Sequence, residues 1–221
     1  MTEADKIKIV LYKDLLEKLN EKQFIIPEVF IGKVIADILV VNGDIHIYEI
    51  KSKSDSLSRL ENQIIRYKEC ANKVTVVVDE KFVSKLESLP FMENVGIMYV
   101  DKKYKLHELK VANYSTIYKS GYFAYWAPIE LRETLRGFPG WYKLSTYEAN
   151  LKLEEILTED EIRRLTLFRL REKYIYEFIK RKELIKSKNY EEALKKRFDD
   201  SLNSLTITPL KYIPYHVFRD F

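Results

Sequence analysis

The chain has 221 residues, of which 46% are hydrophobic and 33% are charged, so it can bury a core and remain soluble. Six glycines and six prolines exclude a collagen-like or low-complexity chain, and 16 Tyr, 11 Phe and 2 Trp argue against intrinsic disorder. A single cysteine, Cys70, excludes a disulfide framework and a cysteine-based zinc cluster. No apolar run approaches the ~20 residues that span a bilayer, and no apolar leader opens the chain, so we expect a soluble, cytoplasmic protein without membrane contacts.

The formal net charge of +4 is unevenly distributed along the chain. Residues 1–110 hold 18 Lys and Arg against 18 Asp and Glu, whereas residues 111–221 hold 20 against 16. The stretch 163–197 contains 13 basic and 5 acidic residues, a local excess of +8. Such a region is consistent with a polyanionic partner, and equally with a helical domain that has a solvated cationic face.

The pattern of apolar residues predicts an α/β first region. Pro27 indicates an edge strand or a bulge, and Asn42-Gly43 is a strong hairpin signal. Residues 54–56 (Ser-Asp-Ser) are candidate N-caps, and strand 73–79 is apolar or β-branched over its whole core, as expected when both faces are buried. We expect a helix over 4–19, strands over 24–31, 34–41 and 45–51, a helix over 57–71, a strand over 73–79, a short helix over 80–89, and strands over 95–100 and 105–109.

The composition changes after about residue 111. Glycines and prolines punctuate an aromatic stretch, and from about residue 145 to 202 the pattern is helical, with Thr158 and Glu161 forming a capping box. We therefore predict two domains, an α/β core over 1–111 and a mainly helical domain, rich in aromatic and basic residues, over 112–221.

The candidate chemistry lies on the predicted hairpin, where Asp37 is followed by eleven residues and then by Glu49-Ile50-Lys51. Strand alternation puts Glu49 and Lys51 on one face, and burying both is costly unless they are paired or bind a metal. Two converging carboxylates suit a hard cation such as Mg²⁺, and an adjacent lysine can polarise a water and stabilise charge on a phosphate. The set predicts metal-assisted phosphodiester hydrolysis; the structural alternatives are a surface ion pair of Glu49 with Lys51 and a solvated Asp37.

The turn decides whether the two carboxylates can meet. A two-residue Asn42-Gly43 loop would pair residues whose numbers sum to 85 and would put Asp37 and Glu49 on opposite faces of the sheet. A shared metal site requires both carboxylates on one face, and the numbers of paired residues must then sum to an even value such as 86. We therefore predict a loop of odd length, for example Asn42-Gly43-Asp44, or a β-bulge.

Asp37-x11-Glu49-x-Lys51 on a hairpin, followed by a helix, resembles the PD-(D/E)xK nuclease superfamily, which includes restriction endonucleases, Holliday-junction resolvases and RecB-like exonucleases. The following helix carries Gln63-x3-Tyr67, which is similar to the Gln-x3-Tyr element of RecB-like nucleases. The longer string from residue 55 to residue 67 resembles a group of small, mostly uncharacterised bacterial and phage proteins in that superfamily.

The resemblance covers residues 5–110 and implies a restriction-endonuclease-like α/β core, with a mixed central sheet flanked by helices. Ala36 departs from the pattern, since a proline commonly precedes the aspartate in the superfamily. Glu28 falls where the small bacterial and phage group has an extra acidic residue. A loop acid next to Pro27 is the alternative interpretation of Glu28.

The resemblance also implies roles for the site residues. Asp37, Glu49 and the main-chain carbonyl of Ile50 would hold Mg²⁺ or Mn²⁺, with Glu28 as an accessory acid. Lys51 would position or activate the attacking water. Gln63 and Tyr67 would orient the substrate or the groups around the metal; they could also be generic polar positions of the helix.

Basic residues supply the predicted contacts with the nucleic-acid backbone. Arg59 lies one helical turn before Gln63 and could touch a phosphate or could be an ordinary surface charge. The expected contacts of the C-terminal domain are Arg163, Arg164, Arg169, Arg171 and Lys173.

We therefore expect a Mg²⁺-dependent nuclease that acts on DNA. Two other classes fit the same residues. One is a non-catalytic module that keeps the nuclease fold for nucleic-acid or protein recognition, because folds are widely reused. The other is a regulatory protein whose helical domain binds DNA or a partner while the α/β core acts as a sensor.

Overall fold

The computed structural model describes residues 1–20, 23–32, 34–195 and 207–214. The strands within these residues are β1 Phe24–Ile31, β2 Val34–Val41, β3 Ile45–Lys51, β4 Lys73–Asp79, β5 Gly96–Val100 and β6 Leu106–Lys110. The helices are α1 Glu3–Lys18, α2 Leu60–Cys70, α3 Val83–Glu87, α4 Lys119–Tyr122, α5 Pro128–Thr134, α6 Thr146–Ile156, α7 Glu159–Lys186 and α8 Tyr190–Ala193. Single 3-10 turns cover Glu80–Phe82, Pro90–Met92, Phe123–Tyr125, Trp141–Lys143 and Leu210–Tyr212.

The six strands form one mixed sheet whose spatial order follows the chain from β1 to β6. The pairs β1–β2, β2–β3 and β5–β6 are antiparallel, whereas β3–β4 and β4–β5 are parallel. Each parallel pair needs a crossover connection; α2 provides the first and α3 lies in the second. The expected α/β class, with a mixed sheet, flanking helices and a helical C-terminal part, is confirmed.

β4 is a central strand that buries both of its faces, as its apolar sequence predicts. Val76, Val77 and Val78 are each 0% exposed, although successive side chains point to opposite faces. β1 forms the edge of the sheet, where Pro27 replaces an N–H donor with little loss. The prediction of an edge strand at Pro27 is therefore confirmed.

The start of α2 differs from the sequence prediction. The helix begins at Leu60 rather than Leu57, and its N-cap residue, Arg59, makes no side-chain capping bond. The expected cap at residues 54–56 is wrong because Asp55 accepts from the N–H and the hydroxyl of Ser52 instead. These bonds form a turn directly after β3, and Leu60 is then fully buried at the first position of the helix.

The helical C-terminal part packs against the sheet region within the described residues. Thr158 and Glu161 form the predicted capping box at the start of α7. The ring of Phe178 on α7 lies 6.4 Å from that of Phe24 on β1, and the Tyr125 hydroxyl donates to the Cys70 carbonyl. One cluster of buried apolar residues includes members from both regions, while the proposed boundary at residues 111 and 112 stays a prediction.

Cys70 is buried at the end of α2. Among the helices of the described ranges, none combines the length and the apolar composition that crossing a bilayer requires. Residues 196–206 and part of the basic stretch 163–197 lie outside the described residues.

The β2–β3 turn has the predicted register. Leu39 pairs with Ile47 and Val41 with Ile45, so the residue numbers of each pair sum to 86. The loop consists of residues 42–44, in which Gly43 has a φ of +90° and the Asn42 N–H donates to the Asp44 carbonyl at 3.0 Å. Glycine suits this position because other residues rarely adopt a positive φ. The prediction of an odd loop is confirmed.

Candidate active site

Asp37 and Glu49 lie opposite each other on neighbouring strands. The pair Ile38–Tyr48 is the last one of the β2–β3 ladder, and the same register carried one residue further sets Asp37 across from Glu49. Opposed residues of an antiparallel pair share a face of the sheet. The turn geometry therefore brings together the two carboxylates that the sequence singled out.

Glu49 is a buried carboxylate, 2% exposed, that accepts hydrogen bonds from three side chains. Lys51 Nζ and Gln63 Nε2 donate to its Oε1 at 2.7 and 2.6 Å. The Tyr67 hydroxyl lies 2.7 Å from its Oε2 and 2.8 Å from the Ile35 carbonyl oxygen, and its single proton can go to only one of them at a time. Burial and the Glu49 charge raise the pKa of Tyr67, so the hydroxyl remains a donor.

Lys51 and Gln63 complete a closed triangle with Glu49. Lys51 is 8% exposed, and its Nζ also donates to Gln63 Oε1 at 2.9 Å. Both ends of the Gln63 amide are thus engaged, one by Lys51 and one by Glu49. Because α2 carries Gln63 and Tyr67 four residues apart, one face of this helix meets the end of β3.

Asp37 faces the backbone of β3. Its Oδ2 accepts from the Ile50 N–H at 2.8 Å. Because the N–H and C=O of one strand residue point to the same side, the Ile50 carbonyl also faces β2 and Asp37. Burial and then the negative charge of Glu49 raise the pKa of Asp37 to about 7, while the charge of Lys8 acts in the opposite direction.

Glu28 reaches the site from β1. Pro27 pairs with Ile38 and Val29 with Ala36, so the register sets Glu28 opposite Asp37. The backbone of Glu28 has a φ of +54°, a strained conformation for a residue other than glycine, and such strain tends to occur at functional sites.

Lys8 is a site residue that the sequence analysis missed. Its Nζ forms a hydrogen bond and ion pair with Glu28 Oε1 and lies 3.9 Å from Asp37 Oδ1. The position of Lys8 on α1 could have indicated that it is directed inward. Tyr12 and Leu15, four and seven residues later on the same face of the helix, are both buried. A lysine on the apolar face of a helix needs a buried counter-charge.

Five of the six predicted phosphate contacts fall into three groups. Arg59 is exposed beside the start of α2. Arg163 and Arg164 both pair with Asp160, Arg163 also donates to the Gly43 carbonyl at 2.6 Å, and Lys173 pairs with Glu130 at 2.6 Å. Arg171 is half-buried on α7.

Arg169 does not fit the predicted role of a surface contact. It is 6% exposed and donates to Glu172, Thr134 and the Thr208 carbonyl. Its guanidinium carbon also lies 5.9 Å from the centre of the Trp126 ring. These internal partners explain why an arginine is tolerated inside the C-terminal part.

The oxygen atoms of Asp37, Glu49 and the Ile50 carbonyl match the preference of Mg²⁺ and Mn²⁺ for oxygen ligands. Asp37 Oδ1 carries only the long contact with Lys8 among those described, and Glu49 Oε2 carries one donor, so both oxygens have acceptor capacity left. Within the described ranges, no three or more His, Cys, Asp or Glu side chains are grouped as a metal cluster. The donor chemistry therefore fits a single hard cation, supported by few protein ligands.

A cavity of about 650 Å³ lies at the carboxyl ends of β4 and β5, and none of the site residues described above lines it. It is lined by Ile7, which precedes Lys8, and by Lys53, which follows Lys51 by two residues. Asp79 and Val100, at the carboxyl ends of β4 and β5, also line it. Ligands of open α/β sheets commonly bind outside the carboxyl ends of the parallel strands.

Comparison with known proteins identifies the family. A family model described as Bacteriophage P4 protein cII matches residues 2–205 of the chain. The chain belongs to this family. Protein cII of Enterobacteria phage P4 is 40% identical over 63 residues, which are 28% of this chain and 24% of that relative, so the match spans about a quarter of the relative's length.

Comparison with solved structures gives one partial superposition. A protein of unknown function from Silicibacter pomeroyi superposes with a TM-score of 0.43 and 17% identity, over 55% of this chain and 79% of that one. The family match over residues 2–205 therefore places the chain in the Bacteriophage P4 protein cII family.

Proposed function

We propose that this protein is a metal-dependent nuclease that hydrolyses phosphodiester bonds, with DNA as its substrate. The observation that carries the proposal is the β2–β3 register, which sets Asp37 across from Glu49, with Lys51 Nζ 2.7 Å from the Glu49 carboxylate. Paired acids beside a lysine suit reactions on anionic substrates. The resemblance of these residues to the PD-(D/E)xK superfamily, including its restriction-endonuclease-like fold, supports the same function.

In this proposal Asp37, Glu49 and the Ile50 carbonyl hold Mg²⁺ or Mn²⁺, which would acidify a bound water and neutralise charge on the phosphate. Lys51 has three N–H donors and gives two of them to Glu49 and Gln63. Within the described contacts, its third N–H remains for the attacking water or a phosphate oxygen. Gln63 and Tyr67 act as positioning residues, because their donors hold the Glu49 carboxylate.

The DNA backbone would approach over the exposed residues 53–56, which follow β3, and the start of α2. Arg59 is exposed there and can contact a phosphate without breaking an internal bond of the described residues. Arg171 adds positive charge on α7, whereas the buried Arg169 is left out of the proposed interface.

A non-catalytic binding module is the second candidate, and the bonding of Glu49 favours it. Lys51, Gln63 and Tyr67 already offer three hydrogen bonds to this carboxylate, so its burial is compensated without a cation. A buried carboxylate compensated by side-chain donors can serve to specify the packing alone.

The test is to incubate the full chain with labelled single-stranded, duplex and branched DNA and with RNA, in Mg²⁺, Mn²⁺ or EDTA. We expect cleavage of DNA that requires the cation and falls by ~10²-fold or more in Glu49→Gln and Lys51→Met. Glu108→Gln, which changes an exposed acid on β6, is the matched control and should cut normally. Undiminished cleavage in both site variants, or no cation-dependent cleavage of any substrate, would contradict the proposal.

A further inference from the structure

Helix α1 places a cation inside the acidic site. The Lys8 side chain is 13% exposed, and its ammonium contacts Glu28 and lies 3.9 Å from Asp37 Oδ1. Tyr12 and Leu15 share its helix face and are buried, so packing of α1 directs the Lys8 stem toward the site. Lys8 is therefore part of the site rather than a surface charge.

The charges of the site do not balance. The carboxylates of Glu28, Asp37 and Glu49 and the ammonium groups of Lys8 and Lys51, which contact them, have a formal sum of −1 when all five are ionised. Arg181, whose charge also acts on Glu28, is paired with Glu177, and this pair leaves the sum unchanged. A divalent cation added between Asp37 and Glu49 would change this sum to +1. Like charges at short range in a poorly solvated site repel strongly, so Lys8 and such a cation oppose each other.

We infer that Lys8 is a built-in counter-cation that competes with a divalent cation for the carboxylates of Glu28 and Asp37. This inference rests on the proposed function and names the residue that sets how much free cation the protein needs. The ammonium of a lysine sits on a flexible four-carbon stem, so it can move away from Asp37 without losing its charge. The contact of Lys8 with Asp37 is long at 3.9 Å, whereas Lys51 is bonded to Glu49 at 2.7 Å. Lys8 is therefore the ammonium that a divalent cation displaces.

The experiment is calorimetric titration of Mn²⁺ into the full chain and its variants, which needs no activity measurement. Lys8→Met and Lys8→Gln remove the charge and keep much of the stem, and we expect both to bind Mn²⁺ at least tenfold more tightly than the wild type. Lys8→Arg keeps the charge, and its Mn²⁺ affinity should stay within about threefold of that of the wild type. Lys18→Met removes an exposed charge from the same helix, where Lys18 pairs only with Asp14 among described contacts, and should leave the affinity unchanged.

Two negative outcomes are distinguishable. Equal or weaker Mn²⁺ binding by Lys8→Met and Lys8→Gln, with clear binding by the wild type, overturns the competition and leaves the metal-dependent function standing. No Mn²⁺ binding by the wild type or by any Lys8 variant overturns the competition and the proposed function together.

Discussion

Glu49 illustrates how this protein holds a charge in its interior. Its three donors come from two elements, Lys51 on β3 and Gln63 and Tyr67 on α2. A hydrogen bond to a charged group contributes roughly 1.5–3 kcal/mol, and a buried charge that loses a donor is left with an unmet desolvation cost. The position of this carboxylate therefore depends on the docking of α2 against the end of β3.

Replacing Tyr67 by Phe tests that dependence. We expect Tyr67→Phe to lower the free energy of unfolding by about 1–2 kcal/mol, because Glu49 loses one donor while the ring keeps its packing. In the cleavage assay kcat should fall about tenfold with little change in KM, as for a residue that positions a catalytic group. Urea unfolding and steady-state kinetics measure the two effects, with Tyr147→Phe on the exposed face of α6 as the control. Wild-type stability and kcat in Tyr67→Phe would contradict the positioning role.

We expect His46 to make the stability depend on pH. It stacks on Tyr48 with ring centres 4.1 Å apart, and its Nε2 lies 2.8 Å from the Thr75 hydroxyl. Burial, with a smaller effect of Lys73, lowers the pKa of His46 to about 3. Between this value and the ordinary pKa of ~6.5, the unfolded chain binds a proton that the folded protein does not.

We therefore expect stability to fall as the pH drops below ~6.5, with His46 contributing at most about 1.4 kcal/mol per pH unit. His46→Gln should lose this component, so the difference in unfolding free energy between the two proteins changes below pH 6.5 and is constant above pH 7.5. Urea titrations from pH 4 to pH 8 measure that difference. A difference that is independent of pH over this range would show that His46 is accessible to protons in the folded state.

At the scale of elements, Asn72 joins the start of β3 to the segment after β6. Its Oδ1 accepts from the Ile45 N–H at 2.9 Å and its own N–H donates to the Ile45 carbonyl at 2.8 Å. Its Nδ2 donates to the Ser115 carbonyl at 3.1 Å. These bonds fix the position of Ile45, the first residue of β3. Arg163 donates to the Gly43 carbonyl and so holds the preceding loop. Contacts from outside the hairpin thus support its register.

We expect Asn72→Ala to destabilise the protein by about 2–4 kcal/mol, because it leaves the buried N–H of Ile45 without a partner and removes the side-chain bond to the Ser115 carbonyl. Urea unfolding measures the loss. Asn62→Ala on the exposed face of α2 is the matched control and should change stability by less than ~0.5 kcal/mol. A change in Asn72→Ala no larger than that of the control would show that the register is maintained by the hairpin alone.

At the scale of the whole molecule, the C-terminal part shares buried surface with the sheet. Tyr125, Trp126 and Phe178 belong to the same apolar cluster as Phe24 and Cys70. Removing residues 112–221 would therefore expose core residues as well as remove positive charge. Point substitutions separate the two effects.

Salt dependence of DNA binding tests the proposed electrostatic surface. Neutralising one phosphate contact reduces the slope of log affinity against log salt by about 0.9 for duplex DNA, so Arg59→Gln combined with Arg171→Gln should reduce it by about 2. Lys103→Gln combined with Lys105→Gln changes the net charge equally on the β5–β6 turn and should leave the slope unchanged. An unchanged slope in the arginine pair would exclude both residues from the interface.

The features that follow from local periodicity were predictable from the sequence. β1, β2, β3 and β4 begin and end where the apolar patterns predict, because the alternation of side chains is a property of the strand itself. The capping box at Thr158 likewise depends on residues three positions apart. The odd loop at Asn42 followed from a geometric requirement, that Asp37 and Glu49 share a face, rather than from turn preferences, which favour two residues.

Only the tertiary structure decided which distant side chains meet. Lys8 enters the acidic site because α1 packs near β1 and β2, and the pattern of α1 alone shows a buried face without showing what covers it. Arg169 belongs to the core because Trp126, Thr134 and Thr208 surround it, although its neighbours in sequence indicate a basic surface. Local sequence determines the period and the faces of an element, whereas the partner of each face depends on packing between segments that are far apart in the chain.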